Sequence, residues 1–168
     1  MAQDLIQNDL HVAGHLSCKT FTLPAASVGN ATIQGAAGIE ATKVVHQFPL
    51  TVQQASTVAN ATTLLHILRA VGTVVSFEAI TTTPATGADR TVTIDLQKST
   101  GGGAFATILS APISLDDATT ARTVVNATVS NPTLVDGDLL QVVVTVAGAA
   151  GSQASGLLVT TTLREEPQ

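Results

Sequence analysis

Apolar and polar positions alternate with period two along much of the second half of the chain. Val92, Ile94 and Leu96 alternate with Thr93, Asp95 and Gln97, which places the apolar set on one side of an extended strand. The same alternation predicts a strand through Val75, Phe77 and Ala79, with Ser76 and Glu78 on the opposite side. It recurs in Leu140, Val142, Val144 and Val146, and more weakly in Leu157, Val159, Thr161 and Leu163. Residues 105–109 and 124–129 read as shorter strands. Turn-type segments at 84–89, 101–103, 116–119, 132–138 and 148–156 separate these runs. No helical stretch between them is long enough for a parallel crossover, so the pattern predicts an all-β, antiparallel β-sandwich of jelly-roll-like type. Residues 62–70 fit two templates. Leu64, Leu65, Ile67 and Leu68 make a helix face, whereas Thr62, Leu64, His66 and Leu68 make a strand face; Gly72 and the surrounding β pattern favour the strand.

The first 60 residues read differently. Leu10, Val12, Leu16 and Phe21 are too irregularly spaced for one amphipathic helix, and Gly14, Pro24, Gly29, Gly35 and Gly38 interrupt the chain every few residues. Such a segment has too little contiguous apolar sequence for a core of its own. The expected organisation is an extended N-terminal arm over 1–60, ordered by packing on something else, and a sandwich head over 61–168. A short helical turn is expected within 38–47. One head strand stands out, because Leu139 and Val143 lie opposite Leu140, Val142, Val144 and Val146. A strand with two apolar faces points to a cover on its outer side, either the arm or another subunit. The expected interface residues are therefore Leu10, Val12, Leu16 and Phe21 of the arm and Leu139 and Val143 of the head, in a homo-oligomer.

Composition sharpens this picture. Of the 168 residues 45% are hydrophobic and 11% charged, against about 25% charged in an average protein. Mean hydropathy is +0.38, yet no window supplies the roughly 20 uninterrupted apolar residues that span a bilayer; the longest run is broken by His66 and Arg69. No membrane partner is expected. The first residues, with Asp4 and Asp9 and no basic segment before an apolar run, do not read as a secretory signal. Asn-Ala-Thr triplets at Asn30, Asn60 and Asn126 match the glycosylation pattern, but without a secretory route they read as chance in an Ala/Thr-rich chain. A net charge of -5, with seven Lys and Arg scattered from Lys19 to Arg164, lacks the basic stripe that nucleic acid requires.

Candidate chemistry is sparse. His11 and His15 have the spacing of two ligands on a helical turn, but around Gly14 an extended chain would hold their rings about 13 Å apart. His46 and His66 have no carboxylate or thiol at ligand spacing. Cys18, the one cysteine, rules out an intrachain disulfide and lacks the setting of a nucleophile. Gly101, Gly102 and Gly103 have no following Gly-Lys-Ser/Thr and read as a hairpin turn. Asp136-Gly137-Asp138 lacks the spaced acids of a calcium loop and reads as a turn with positive φ at Gly137. Asp95 and Glu78 are candidates for surface pairs with Lys98 or Arg90. No carboxylates are placed for acid/base work, so no catalytic residue, metal ligand or cofactor is expected.

Several strings carry a resemblance. Asp9-Leu10-His11-Val12-Ala13-Gly14-His15-Leu16-Ser17, followed by Phe21-Thr22-Leu23-Pro24-Ala25-Ala26-Ser27-Val28, resembles the start of many bacteriophage fibre and head-decoration proteins. Thr91-Val92-Thr93-Ile94-Asp95-Leu96-Gln97-Lys98 is similar to a recurring strand of those virion proteins. So are Leu109-Ser110-Ala111-Pro112-Ile113-Ser114-Leu115-Asp116 and Asp136-Gly137-Asp138-Leu139-Leu140-Gln141-Val142-Val143-Val144-Thr145. The resemblance implies a trimeric virion surface protein, with an interlocking N-terminal arm and a β-sandwich head. The chain has no repeat-rich shaft and no aromatic tip, which favours a capsid decoration (cement) protein over a tail fibre. On that reading the partners are two further copies of the chain and the major capsid protein, and the location is the capsid exterior, after synthesis in the bacterial cytoplasm. The competing class is a head-fibre or receptor- or carbohydrate-binding module. Sugar sites stack rings on Trp or Tyr, and the chain has neither.

Overall fold

The computed structural model describes residues 45–166. They form ten strands: β1 (His46–Thr57), β2 (Ala61–Ile67), β3 (Gly72–Thr83), β4 (Thr91–Ser99), β5 (Ala106–Thr107), β6 (Ile113–Leu115), β7 (Val125–Ala127), β8 (Thr133–Leu134), β9 (Leu139–Ala147) and β10 (Ser155–Glu165). Every pairing is antiparallel. One sheet runs β1-β10-β3-β7, with β8 also on β3; the other runs β2-β9-β4-β5, with β6 also on β4. We call them sheets A and B. The chain crosses between the sheets from β1 through β4, again from β6 to β7 and from β8 through β10, and β1 pairs with β10 within sheet A, an order like that of a jelly roll. The expected antiparallel sandwich is what the chain forms.

The core is a single apolar cluster between the sheets. Sheet B contributes Val92, Ile94 and Leu96 from β4 and Leu140, Val142 and Val144 from β9, all buried as the alternation required. Sheet A contributes Val74, Phe77 and Ala79 from β3 and Leu157, Val159 and Leu163 from β10. The weak alternation of β10 conceals one of the best-buried strands. Its odd member, Thr161, is also buried, and its hydroxyl donates to the Ser76 carbonyl oxygen at 3.0 Å, so the polar atom is satisfied across the sheet.

Three expectations need correction. Residues 46–57 were expected in the arm, but they form β1, which pairs along β10 from His46↔Glu165 to Thr57↔Ser155. Phe48, Leu50 and Val52 alternate inward, packed against the core; Pro49 and the Gln/Thr-rich outer side masked that strand in the sequence. The same strand replaces the helical turn expected over 38–47 at His46 and Gln47, while 38–44 lie outside the described residues. The third correction concerns Val75, expected to face inward with Phe77. The β3–β10 register skips it, running Ser76↔Thr162 then Val74↔Leu163. This bulge turns Val75 outward, where it is 49% exposed, and puts Val74 in the core instead.

One end of the sandwich is closed by two loops zipped together, 84–90 and 148–153. Thr86 N donates to the Ser152 carbonyl oxygen and Ser152 N donates to the Thr86 hydroxyl. Arg90 donates to the carbonyl oxygens of Ala149 and Ala150 and to the Gln153 amide oxygen. This is Arg90's role in place of the expected carboxylate pair. The Asp89 carboxylate accepts from the backbone N–H of Ala149 and Ala150, which holds its pKa below the ordinary 3.8. A group whose pKa is depressed by folding stabilises the native state above its unfolded value and loses that contribution as pH falls through the folded one. Thermal unfolding followed by circular dichroism should therefore show a smaller difference in Tm between pH 7 and pH 3 for Asp89→Ala than for the wild type. Equal differences would mean that the zipper does not depend on that charge.

Candidate interaction surface

Strand alternation in sheet B leaves one side of β2, β9 and β4 facing away from the core. On β9 that side presents Leu139, Gln141, Val143 and Thr145, because Leu140, Val142 and Val144 point inward. Leu139 and Val143, the two head residues expected at an interface, both lie here, half-buried. Leu10, Val12, Leu16 and Phe21 lie outside the described residues, as do His11, His15 and Cys18.

The register supplies their neighbours. Ile67 of β2 stands directly opposite Leu139, Leu64 opposite Gln141, and Thr62 opposite Val143. Leu64 is 66% exposed and Ile67 49%. Together with Leu65, His66 and Leu139 they line an open concavity of about 420 Å³. Sequence reasoning missed Leu64 and Ile67 as members of this surface because the alternation breaks between them. A bulge at Leu65 lets both Leu64 and Ile67 face out, although their spacing of three would put them on opposite sides of a regular strand. The signal present was the run Leu64-Leu65-His66-Ile67-Leu68, apolar on too many positions for a one-sided strand.

Toward β4 the same face becomes polar and pinned. The Thr107 hydroxyl and the Gln97 amide both donate to the Asp95 carboxylate, at 2.6 and 2.8 Å, and the Gln141 amide donates to Gln97 Oε1 at 2.8 Å. Asp95 is therefore held by amide and hydroxyl groups in place of the expected pair with Lys98. Lys98 points to the core side of β4, where its ammonium donates to the Thr133 carbonyl oxygen at 3.0 Å and lies 3.7 Å from Asp138 Oδ2. Asp138 belongs to the expected turn, with Gly137 at φ 83°.

Where β2 meets the edge of sheet A, His66 Nε2 lies 3.4 Å from Glu165 Oε1 of β10. The Phe48 ring of β1 approaches the imidazole edge-on, with centroids 5.7 Å apart. This contact ties the two sheets together beside the concavity. On the far side of the sandwich, a smaller hollow of about 100 Å³ is lined by Glu78, Ala79, Ile80, Val124, Leu158 and Thr160.

Among the described residues no group of three His, Cys, Asp or Glu side chains is placed to hold a metal ion, and no helix is long and apolar enough to cross a membrane. The arrangement offers an aliphatic surface on a rigid sheet, flanked by a fixed polar ladder. No family model matches the chain, and no curated protein or solved structure is found similar to it.

Proposed function

We propose that this chain is a structural virion protein, a decoration (cement) protein that binds the outside of a phage capsid as a homotrimer and stabilises the shell. The observation that carries the reading is the uncharged aliphatic outer face of β2 and β9 on a jelly-roll head. An antiparallel sheet facing water should be polar on that side, so a partner protein is the natural cover. The ordered resemblance of the chain's strings to virion surface proteins supplies the class of partner, and jelly rolls serve viral capsid domains among other uses. A cement protein acts by binding energy alone. Three chains joined in one trimer multiply weak contacts into lasting attachment. Catalysis, cofactor and nucleic acid have no part in this reading.

A second reading, a head-fibre or carbohydrate-binding module for host adsorption, draws on the open concavity beside His66. Its lining of Leu64, Leu65, Ile67 and Leu139 offers no ring for a sugar to stack on, which disfavours it. Electron microscopy of purified particles carrying this chain tests the two. We expect threefold-symmetric density on the outer shell in regular stoichiometry with the capsid protein. Density confined to sparse projecting fibres, or specific binding on a glycan array, would favour adsorption, and absence from particles would overturn both.

A further inference from the structure

We propose that His46, His66 and Glu165 form a zinc site at the rim of the sandwich, where the start of β1, the end of β2 and the end of β10 meet. The metal would join sheet A to sheet B through two imidazoles and one carboxylate. The site does not depend on the capsid reading above.

Strand parity brings the three residues to one place. His46 continues the inward side of β1 set by Phe48, Leu50 and Val52, and Glu165 continues that of β10 set by Thr161 and Leu163. The two are direct register partners, so their Cβ atoms stand about 4.5–5.5 Å apart on the same face of sheet A. From sheet B, the bulge at Leu65 turns His66 inward, opposite buried Leu140. On its β3 side Glu165 is paired with Gly72, which brings no side chain, so its cross-strand neighbour on that face is His46.

The separation of His66 Nε2 from Glu165 Oε1 points to a metal. At 3.4 Å it is long for a hydrogen bond, whose usual N···O distance is about 2.9–3.0 Å. It matches the edge of a tetrahedron of donors about 2.0–2.1 Å from a zinc ion, an edge of about 3.3–3.4 Å. Both side chains are largely shielded, at 27% and 19% exposure, and the Phe48 ring packs edge-on against the imidazole. As the described side chains stand, no third donor joins that pair. His46 lies on the exposed rim and supplies it by rotation about its χ angles, giving up its present contacts. Two neutral imidazoles and an ionised carboxylate, with a fourth position for water, are a donor set that zinc accepts. Ligand spacing in the sequence hides the set, because the fold brings Glu165 to His66 across 99 positions.

Zinc titration of the full chain, first stripped with EDTA and then followed by equilibrium dialysis and thermal unfolding, tests the site. His11, His15 and Cys18 are further donors in the sequence, so the titration uses a background with His11→Gln, His15→Gln and Cys18→Ser. That background is expected to bind about one zinc per chain and to gain at least about 5 °C in Tm at a hundredfold excess over Kd, reversed by EDTA. His46→Gln, His66→Gln and Glu165→Gln, each added to the background, are expected to weaken binding by more than the roughly tenfold that loss of an outer-shell partner costs, and to abolish the gain in Tm. An unchanged circular dichroism spectrum in EDTA establishes that each variant is folded. A folded background that binds no zinc, or binds it without a gain in Tm, would overturn the proposal. So would tight binding retained in any one of the three variants, since that residue would then not be a ligand. Either failure leaves the capsid reading standing, because the electron microscopy that tests it does not involve the metal.

Discussion

Replacing Lys98 with methionine is expected to destabilise the head by about 3–5 kcal/mol, the usual cost of stripping one partner from a buried ion pair. The Asp138 side chain is 1% exposed and that of Lys98 16%. Asp138 Oδ2 accepts from Val135 N at 3.0 Å and faces the Lys98 ammonium, while Oδ1 has no hydrogen-bond partner. Methionine keeps the apolar stem of Lys98 and removes the cation, so the variant leaves a carboxylate in the interior with one backbone N–H for support. The same substitution frees the Thr133 carbonyl oxygen, and with it a link between β4 of one sheet and β8 of the other. A double variant, Lys98→Met with Asp138→Leu, is expected to recover most of the loss, since an apolar pair of similar volume often replaces a buried ionic one without penalty. Recovery stops short of complete because Val135 N then lacks its acceptor. Urea denaturation of the wild type, both single variants and the double variant at one fixed protein concentration gives the coupling energy directly. A Lys98→Met cost below about 1 kcal/mol would place the pair among the solvent-screened ones.

Gly151→Ala should be comparably severe, at about 3 kcal/mol, for a reason of backbone geometry. Gly151 has φ +73°, and a Cβ placed there would overlap the Thr86 carbonyl oxygen in the facing loop. The left-handed conformation alone costs about 1–2 kcal/mol for a residue with a side chain. The overlap adds to that by pushing apart the Thr86–Ser152 hydrogen bonds that zip the loops. Gly101→Ala is the matched control: its φ is +60°, but nothing lies within 4 Å of the added carbon. The difference in Tm between the two variants reads the packing part of the cost. Equal losses would show that the loops part freely and that only the backbone conformation matters.

The sequence revealed the head where one residue of the strand answered one residue of its partner. β4 and β9 were legible from Val92, Ile94, Leu96, Leu140, Val142 and Val144 because their ladder runs without a break from Thr91↔Ala147 to Ser99↔Leu139. It was less legible where a bulge adds a residue, since one extra position moves every following side chain to the other face. That is what misplaced Val75 and hid Leu64 and Ile67. β1 was hidden differently: an edge strand shows solvent its outer face and its rim, so Gln47, Pro49, Thr51 and Gln53 look like a linker. β8 is two residues inside a turn-rich segment, and no period can be read from two residues. Ionic partners were the least legible, because Lys98 looked toward nearby Asp95 in sequence while the fold brings Asp138 to it from 40 positions away. The outward placement of Leu139 and Val143 was readable as the surplus apolar face of one strand; their outward-facing neighbours on β2 required the register.

The position of β10 between β1 and β3 also bears on how the head comes into being. Both of its neighbours in sheet A pair along it, and it comes last in chain order among the ten described strands. Without it β1 has no ladder partner, and joining the two requires pairing residues as distant in the chain as His46 and Glu165. Loop closure over that span is an entropic cost met before any long-range contact repays it. Folding is therefore expected to be slow, with β1 left unpaired until β10 joins it.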